Sequence, residues 1–378
     1  MFTGFKIIFF GENLFDQTNF FSPELDLCFF LSRNSDKAVF IDPVKSLPIV
    51  IKNSKVEDLK KYFTDKTPPD LNIPDLVKDL KVLRIPPIVI LAKIAIKKFL
   101  KDYEGEKKIF WVTNPFSFSL IPKSGKRIVI YHQISSPAKL SGDVSFKNAE
   151  AKLIREANLV LVSDKSRFRS FLIINKNSKF IPLGFDDAFY SMEKIEKSPP
   201  NPSFEKFPHP RITYLGSLLE PDIDYDLIEA MGSKRVDWNI FLVGKGIKSI
   251  PPTRMERLKR FNNIISIEDL PITEIPSAIK SSDVIFLPLK ASSSNLPLLI
   301  KLCYGYLSTG KPVVSFPLSQ LSEFESLIPM PTVQPGFLNA IDRYLKGEAK
   351  LNIKEIIAIT KKYTWQHLLQ NIDFEEIS

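Results

Sequence analysis

The sequence predicts an α/β protein made of two doubly wound domains, and three observations predict it. Short runs rich in Ile, Val, Leu and Phe alternate with helical stretches along most of the chain. The alternation stops once, at residues 191–210, SMEKIEKSPPNPSFEKFPHP, which hold five prolines and no periodicity. It restarts at Arg211, and 378 residues are too many for one ordinary core but suit two domains of roughly 150 to 200 residues each.

In the first half, residues 6–10 (KIIFF), 38–41 (AVFI), 108–112 (KIFWV), 127–131 (RIVIY) and 159–162 (LVLV) read as strands, with a helix at 146–157. Apolar runs this short, bounded by turn residues and separated by helices, belong to a parallel sheet covered on both faces. In the second half, strands are expected at 212–215, 239–243, 264–267, 284–287 and 312–316, and helices at 225–231, 275–281 and from about Leu296. The proline-rich segment between the halves reads as a linker. Ligands of doubly wound sheets bind at the carboxyl ends of strands, so chemistry is expected in loops facing a cleft between the domains.

Composition narrows the function classes. A hydrophobic content of 44% with a mean hydropathy of −0.03 indicates a soluble globular chain. The run Ile7-Ile8-Phe9-Phe10 meets Glu12 too soon for a signal peptide, so an intracellular location is expected. Cys28 and Cys303 sit among apolar neighbours and read as buried thiols, and with three histidines in the chain no metal-ligand spacing arises. Residues 1–190 carry 30 Lys/Arg against 21 Asp/Glu, whereas residues 191–378 carry 22 of each. The basic excess of the front half points to an anionic partner. Part of it lies in residues 84–101, RIPPIVILAKIAIKKFLK, where Lys93, Lys97, Lys98 and Lys101 fall within one arc of a helix. That stretch suits either an anionic membrane interface or a core helix with a solvated lysine edge, and it is too short and charged to span a bilayer. Nucleic acid is disfavoured because no aromatic-basic module of a known kind is present. A nicotinamide enzyme is disfavoured because no G-x-G-x-x-G follows the first strand.

Five segments of the second half carry a family resemblance. They are ITYLGSL at 212–218, DYDL at 224–227, WNIFLVG at 238–244, DVIFLPLK at 283–290 and YLSTGKPVV at 306–314. In order and spacing they resemble the nucleotide-sugar half of GT-B glycosyltransferases, with most similarity to family-4-like enzymes of bacterial envelope polysaccharide synthesis, the teichuronic-acid and xanthan types. The front half matches more loosely through WVTNP at 111–115, VIYH at 129–132, ANLVLVS at 157–163 and IPLGFD at 181–186. The resemblance implies an acceptor-binding Rossmann-like domain at 1–190, the linker at 191–210, a nucleotide-sugar-binding Rossmann-like domain at 211–362, and a helix at 363–378 crossing back onto the first domain. It also implies metal-independent transfer of a sugar from a donor, UDP- or GDP-linked, to a glycan or lipid-linked acceptor. The expected setting is the cytoplasm or the inner face of the cytoplasmic membrane, with no cofactor besides the donor.

Transfer from a nucleotide sugar depends on stabilising the departing diphosphate, for which helix-start amides and a nearby cation suffice. Ser293, Ser294 and Asn295 precede the helix starting near Leu296, and Lys290 and Lys301 are the positive charges nearby. An ordinary N-cap is the competing reading. Gly216-Ser217 ends the first strand of the second domain, where the family brings backbone close to the donor phosphates; a plain turn is equally compatible. Asp222, Asp224 and Asp226 form Asp-x-Asp patterns but open a helix, where acids cap amides and complement the dipole. His132 follows a strand at its expected cleft end and reads either as a proton acceptor or as a satisfied loop histidine. Gly11-Glu12 after the first strand is where the fold admits the acceptor, making Glu12 a second candidate base. No acids follow Tyr131 as in the xanthan-like relatives, so inverting and retaining chemistry both stay open. Counting back from Gly310-Lys311-Pro312 puts the family's ribose-binding glutamate at Gly305 and its partner acid at Pro297, and both acids are absent. A catalytically inactive binding subunit and a nucleotide-sugar epimerase share the fold and remain alternatives.

Overall fold

The computed structural model describes residues 2–12, 22–41, 71–73, 77–83, 89–123, 127–134, 143–218, 222–244, 246–268, 270–290, 296–374, 376 and 377. It divides into two compact units. One comprises residues 1–16, 24–182 and 368–378, the other 17–23 and 183–367.

The first unit contains β1 (Phe2–Phe10), α1 (Pro23–Arg33), β2 (Ser35–Ile41), β3 (Leu71–Ile73), β4 (Val77–Leu83), α2 (Val89–Leu100), β5 (Lys107–Val112), β6 (Arg127–Gln133), α3 (Val144–Glu156), β7 (Leu159–Val162), α4 (Lys165–Ile174) and β8 (Ser178–Phe180). The eight strands order as β3-β4-β2-β1-β5-β6-β7-β8, and each neighbouring pair is parallel except β3 with β4. Alternation along the strands gives the sheet two apolar faces. Ile8, Phe10, Phe110, Val112, Val129 and Tyr131 share one core cluster with Ala92, Ile96 and Leu100 of α2, Leu153 of α3 and Phe171 of α4. On the alternate positions Phe9 stacks on Phe40, and Trp111 meets Phe2, His132 and Phe374. Asp143 and Asp164 start α3 and α4 by accepting from Ser145 N–H at 2.8 Å and Ser166 N–H at 2.9 Å, satisfying amides that a helix start leaves open.

The second unit contains α5 (Asp187–Tyr190), α6 (Met192–Lys197), β9 (Arg211–Leu215), α7 (Tyr225–Lys234), β10 (Asn239–Val243), α8 (Pro252–Leu258), β11 (Ile264–Ile267), α9 (Ile275–Ser281), β12 (Val284–Leu287), α10 (Leu296–Ser308), β13 (Val313–Ser315), α11 (Gln334–Leu345), α12 (Ile353–Thr360) and α13 (Trp365–Leu369). Its five strands are all parallel, in the order β11-β10-β9-β12-β13.

The proline-rich segment is not a free tether. Ser191 caps α6 through Lys194 N–H at 3.3 Å. Asn201 binds Ser277 at 3.1 Å and Ser281 at 2.8 Å, and Phe204, fully buried, stacks on Phe241 with ring centroids 4.1 Å apart. Prolines break periodicity there without removing the apolar anchors, so residues 191–210 pack as part of the second unit, to which Leu183–His367 belong. At the other end the division falls inside α13, and from Leu368 onward the chain groups with the first unit, where Phe374 lies 4.5 Å from the Phe2 ring.

Candidate functional site

In each sheet the strand order reverses once. In the second unit the reversal falls between β9 and β12, and in the first between β1 and β5. At such a point the loops leave in opposite directions and open a crevice at the carboxyl ends of the strands. Gly216-Ser217 and Lys290 follow the two strands of the second reversal, and Gly11-Glu12 and Thr113 those of the first.

The loop after β9 is held by phenols. Tyr214 donates to Ser217 O at 2.9 Å, Tyr225 to Leu218 O at 2.5 Å, and Tyr306 of α10 to Leu215 O. Burial pushes the Tyr214 and Tyr306 hydroxyls well above the usual phenol range, so both stay protonated donors. A Cβ at Gly216 would stand 2.1 Å from the Tyr214 hydroxyl, so only glycine lets that phenol cross beneath the loop. Lys290 is exposed, and its N–H donates to Asp222 O at 3.0 Å. Asp224 caps α7 through Leu227 N–H at 3.0 Å, and Asp226 is ion-paired with Arg254 at 2.7 Å. The Asp-x-Asp carboxylates at 224 and 226 thus serve helix capping and ion pairing.

Ser293, Ser294 and Asn295 lie outside the described residues, as does the side chain of Leu296. The rest of α10 departs from expectation. Lys301 is 1% exposed, and so is enclosed within the unit rather than presented to solvent. A Cβ at Gly305 would stand 3.1 Å from the ring of Tyr190, itself buried and edge-on to Tyr306 and Phe185. Any side chain at 305 would press its Cβ on an aromatic ring.

In the first unit, Gly11 passes so close to Phe40 that a Cβ would lie 2.3 Å from its ring. Glu12 is half-buried, and its N–H donates at 2.8 Å to Oε1 of Glu24, a buried carboxylate in the first turn of α1. The Thr113 hydroxyl donates to the same oxygen. Glu24 therefore ties the loop after β1 to the loop after β5. His132 is placed differently from its expected cleft position. β6 runs two residues further than expected, to Gln133, and carries His132 into the core at 0% exposure. Its Nε2 is 3.2 Å from Ser163 Oγ, Trp111 lies edge-on to its ring, and burial pushes its pKa down to about 3. The structure therefore encloses the imidazole within the first unit, between Ser163 and Trp111. Lys93, Lys97, Lys98 and Lys101 are exposed along and just beyond α2, whose buried stripe Ala92, Ile96, Leu100 faces the core.

Glu24, Tyr190, Tyr214 and Tyr306 were not legible as site residues. Glu24 follows Pro23 at a helix start and reads as an ordinary dipole-complementing acid. Tyr306 lies 91 residues from the carbonyl it binds, and no local pattern encodes that distance.

No family model and no curated protein matches the sequence. Solved structures do match over nearly the whole chain. Anabaena HepE in complex with UDP-glucose aligns with a TM-score of 0.60 at 15% identity, covering 97% of each chain. Sucrose-phosphate synthase from Thermosynechococcus elongatus aligns with a TM-score of 0.55 at 13% identity, covering 97% of this chain and 96% of that one. The trehalose-6-phosphate structure from E. coli bound with UDP-2-fluoro glucose aligns with a TM-score of 0.58 at 11% identity, covering 97% of both. At these identities the likeness establishes the fold, which is GT-B with two Rossmann-like sheets.

Proposed function

We propose that the chain is a glycosyltransferase that moves a sugar from a nucleotide-sugar donor, UDP- or GDP-linked, to a glycan or lipid-linked acceptor in cell-envelope polysaccharide synthesis. One observation carries the reading: the reversal point of the second sheet joins a glycine loop, clamped by three phenols, to the exposed Lys290. The fold neighbours with UDP-glucose or UDP-2-fluoro glucose bound support the donor class.

In this reading the donor diphosphate lies against Gly216-Ser217, where the absent Cβ permits close backbone approach. The Tyr214, Tyr225 and Tyr306 hydroxyls occupy the carbonyls of that loop, so carbonyl dipoles are engaged away from the anion. Lys290 and the start of α10, through Ser293, Ser294 and Asn295, stabilise the charge that develops on the leaving group without a metal. Glu12, whose main chain is held by Glu24, is the candidate at the first sheet's reversal point for accepting a proton from the acceptor hydroxyl. The lysine-rich helix α2 is the surface that meets an anionic membrane, where a lipid-linked acceptor would be presented. Among the described residues no helix is long and apolar enough to cross a membrane.

A second reading, a donor-binding subunit without turnover, is favoured by one feature. The Tyr190 ring packs against Gly305, where the resemblance puts the ribose-binding carboxylate. A thermal-shift panel of UDP, GDP, CMP and TDP sugars tests donor binding; saturation at 100 times the dissociation constant stabilises by about 2.7 kcal/mol. Lys290→Ala should weaken the productive donor about tenfold, since one charge-assisted contact is worth ~1.5 kcal/mol. A panel without any shift overturns donor binding altogether. A shift without label transfer to a glycan or lipid-linked acceptor selects the non-catalytic subunit.

A further inference from the structure

At the amino-terminal ends of two interior strands of the first sheet, a cavity of about 860 Å³ opens between α2, the starts of β5 and β6, and residues 119–123. Six lysines and an arginine line it, against two glutamates, Glu104 and Glu106. Several of the cations are held in place. Lys108 Nζ donates to Glu106 O at 3.0 Å, Arg127 Nη1 donates to Pro122 O at 2.6 Å, and Lys107 lies over the Phe5 ring. Each such contact leaves further N–H donors on an ammonium with three or a guanidinium with five. Lys97 and Lys101 are exposed, line the cavity and form no ion pair among the described residues.

The same helix face is apolar further along. Ile90 and Ile94 precede Lys97 and Lys101 at spacings of four, three and four residues, and so share their side of the helix. Ile90 is 70% exposed, Ile94 60% and Leu91 45%. Aliphatic side chains this exposed beside a basic cavity match one kind of partner, a surface apolar within and anionic at its rim. A nucleic acid would neutralise the lysines but offers nothing to cover Ile90 and Ile94.

We propose that this cavity binds the phosphate-bearing headgroup of an anionic membrane lipid while Ile90, Leu91 and Ile94 enter the bilayer interface. The inference rests on reading α2 as the membrane-facing helix and replaces diffuse adsorption by a defined headgroup site. It places lipid binding at the amino ends of β5 and β6, away from the carboxyl-end loops assigned to donor and acceptor, so it stands whether or not the chain turns over a donor.

The test is flotation of the full chain with phosphatidylcholine vesicles, with and without phosphatidylglycerol. Lys98 supplies the control, being exposed on α2 but outside the cavity lining. Binding is expected only with phosphatidylglycerol, competed by soluble glycerol phosphate. Lys101→Gln should weaken it at least about tenfold and Lys98→Gln by no more than about fivefold, the share of any surface lysine. Ile94→Ser should also weaken it about tenfold, with circular dichroism unchanged. Absence of phosphatidylglycerol binding overturns this site and the membrane-facing reading together, leaving the donor panel unaffected. Equal losses for Lys98→Gln and Lys101→Gln leave the membrane surface standing and overturn the cavity. Retention of glycerol phosphate or single-stranded nucleic acid binding by Ile94→Ser, without vesicle binding by the wild-type chain, assigns the cavity to a soluble anion instead.

Discussion

At the residue scale, two positions change meaning once their neighbours are known. The glycine at 305 marks a missing ribose carboxylate in the sequence, yet the ring of Tyr190 lies 3.1 Å from where its Cβ would be. Restoring the acid should therefore not restore a donor contact. Gly305→Glu is expected to lower stability by about 1 to 3 kcal/mol through overpacking, read as a fall in Tm without tighter UDP binding. His132, enclosed in the first unit, carries a pH signature for stability. Its pKa is pushed down to about 3 in the folded chain against an ordinary 6.5, so acidification protonates the unfolded chain first. Its contribution is complete above about pH 6.5 and is lost as pH falls toward 3, with a slope of up to about 1.4 kcal/mol per pH unit. Urea unfolding of wild type and His132→Leu between about pH 6.5 and pH 5, above most carboxylate titrations, should show a shallower slope in the variant. Equal slopes would mean that His132 takes up its proton in the folded chain.

At the element scale, the loop after β9 shows how three helices and strands converge on four residues. Removing one phenolic hydroxyl leaves a carbonyl that burial denies to water. Tyr306→Phe should lower stability by about 1 to 3 kcal/mol, the penalty of an unsatisfied buried acceptor, and should loosen donor binding if the loop holds the diphosphate. Donor affinity unchanged in a destabilised Tyr306→Phe would separate the clamp from the donor site. The elements themselves were largely legible. Strands at 159–162, 239–243, 264–267 and 284–287 and the helix at 275–281 form with the bounds that apolar runs and turn residues indicate. The packing of segment 191–210 was not legible, because proline content reports only the loss of regular hydrogen bonding, and Phe204 and Asn201 are anchored by residues more than thirty positions away.

At the scale of the whole molecule, the last residues close the first unit, with Phe374 packed on Phe2 and Trp111. Phe374→Ala should destabilise that unit by about 3 to 5 kcal/mol, visible as faster hydrogen exchange in β1 and β5. Protection confined to unchanged values in both strands would show that the tail is dispensable. The sequence by itself determined the two-sheet α/β class, the strands and helices, and the reversal-point loops Gly11-Glu12 and Gly216-Ser217, because strand and helix periodicities and turn residues are local properties. Only the tertiary structure decided that His132 is interior, that the Tyr190 ring packs against Gly305, that Glu24 holds the main chain of Glu12, and that lysines from α2, β5 and residues 119–123 line one cavity. Each of those depends on which side chains distant in sequence share a volume, and that is fixed by packing rather than by any residue's own neighbours.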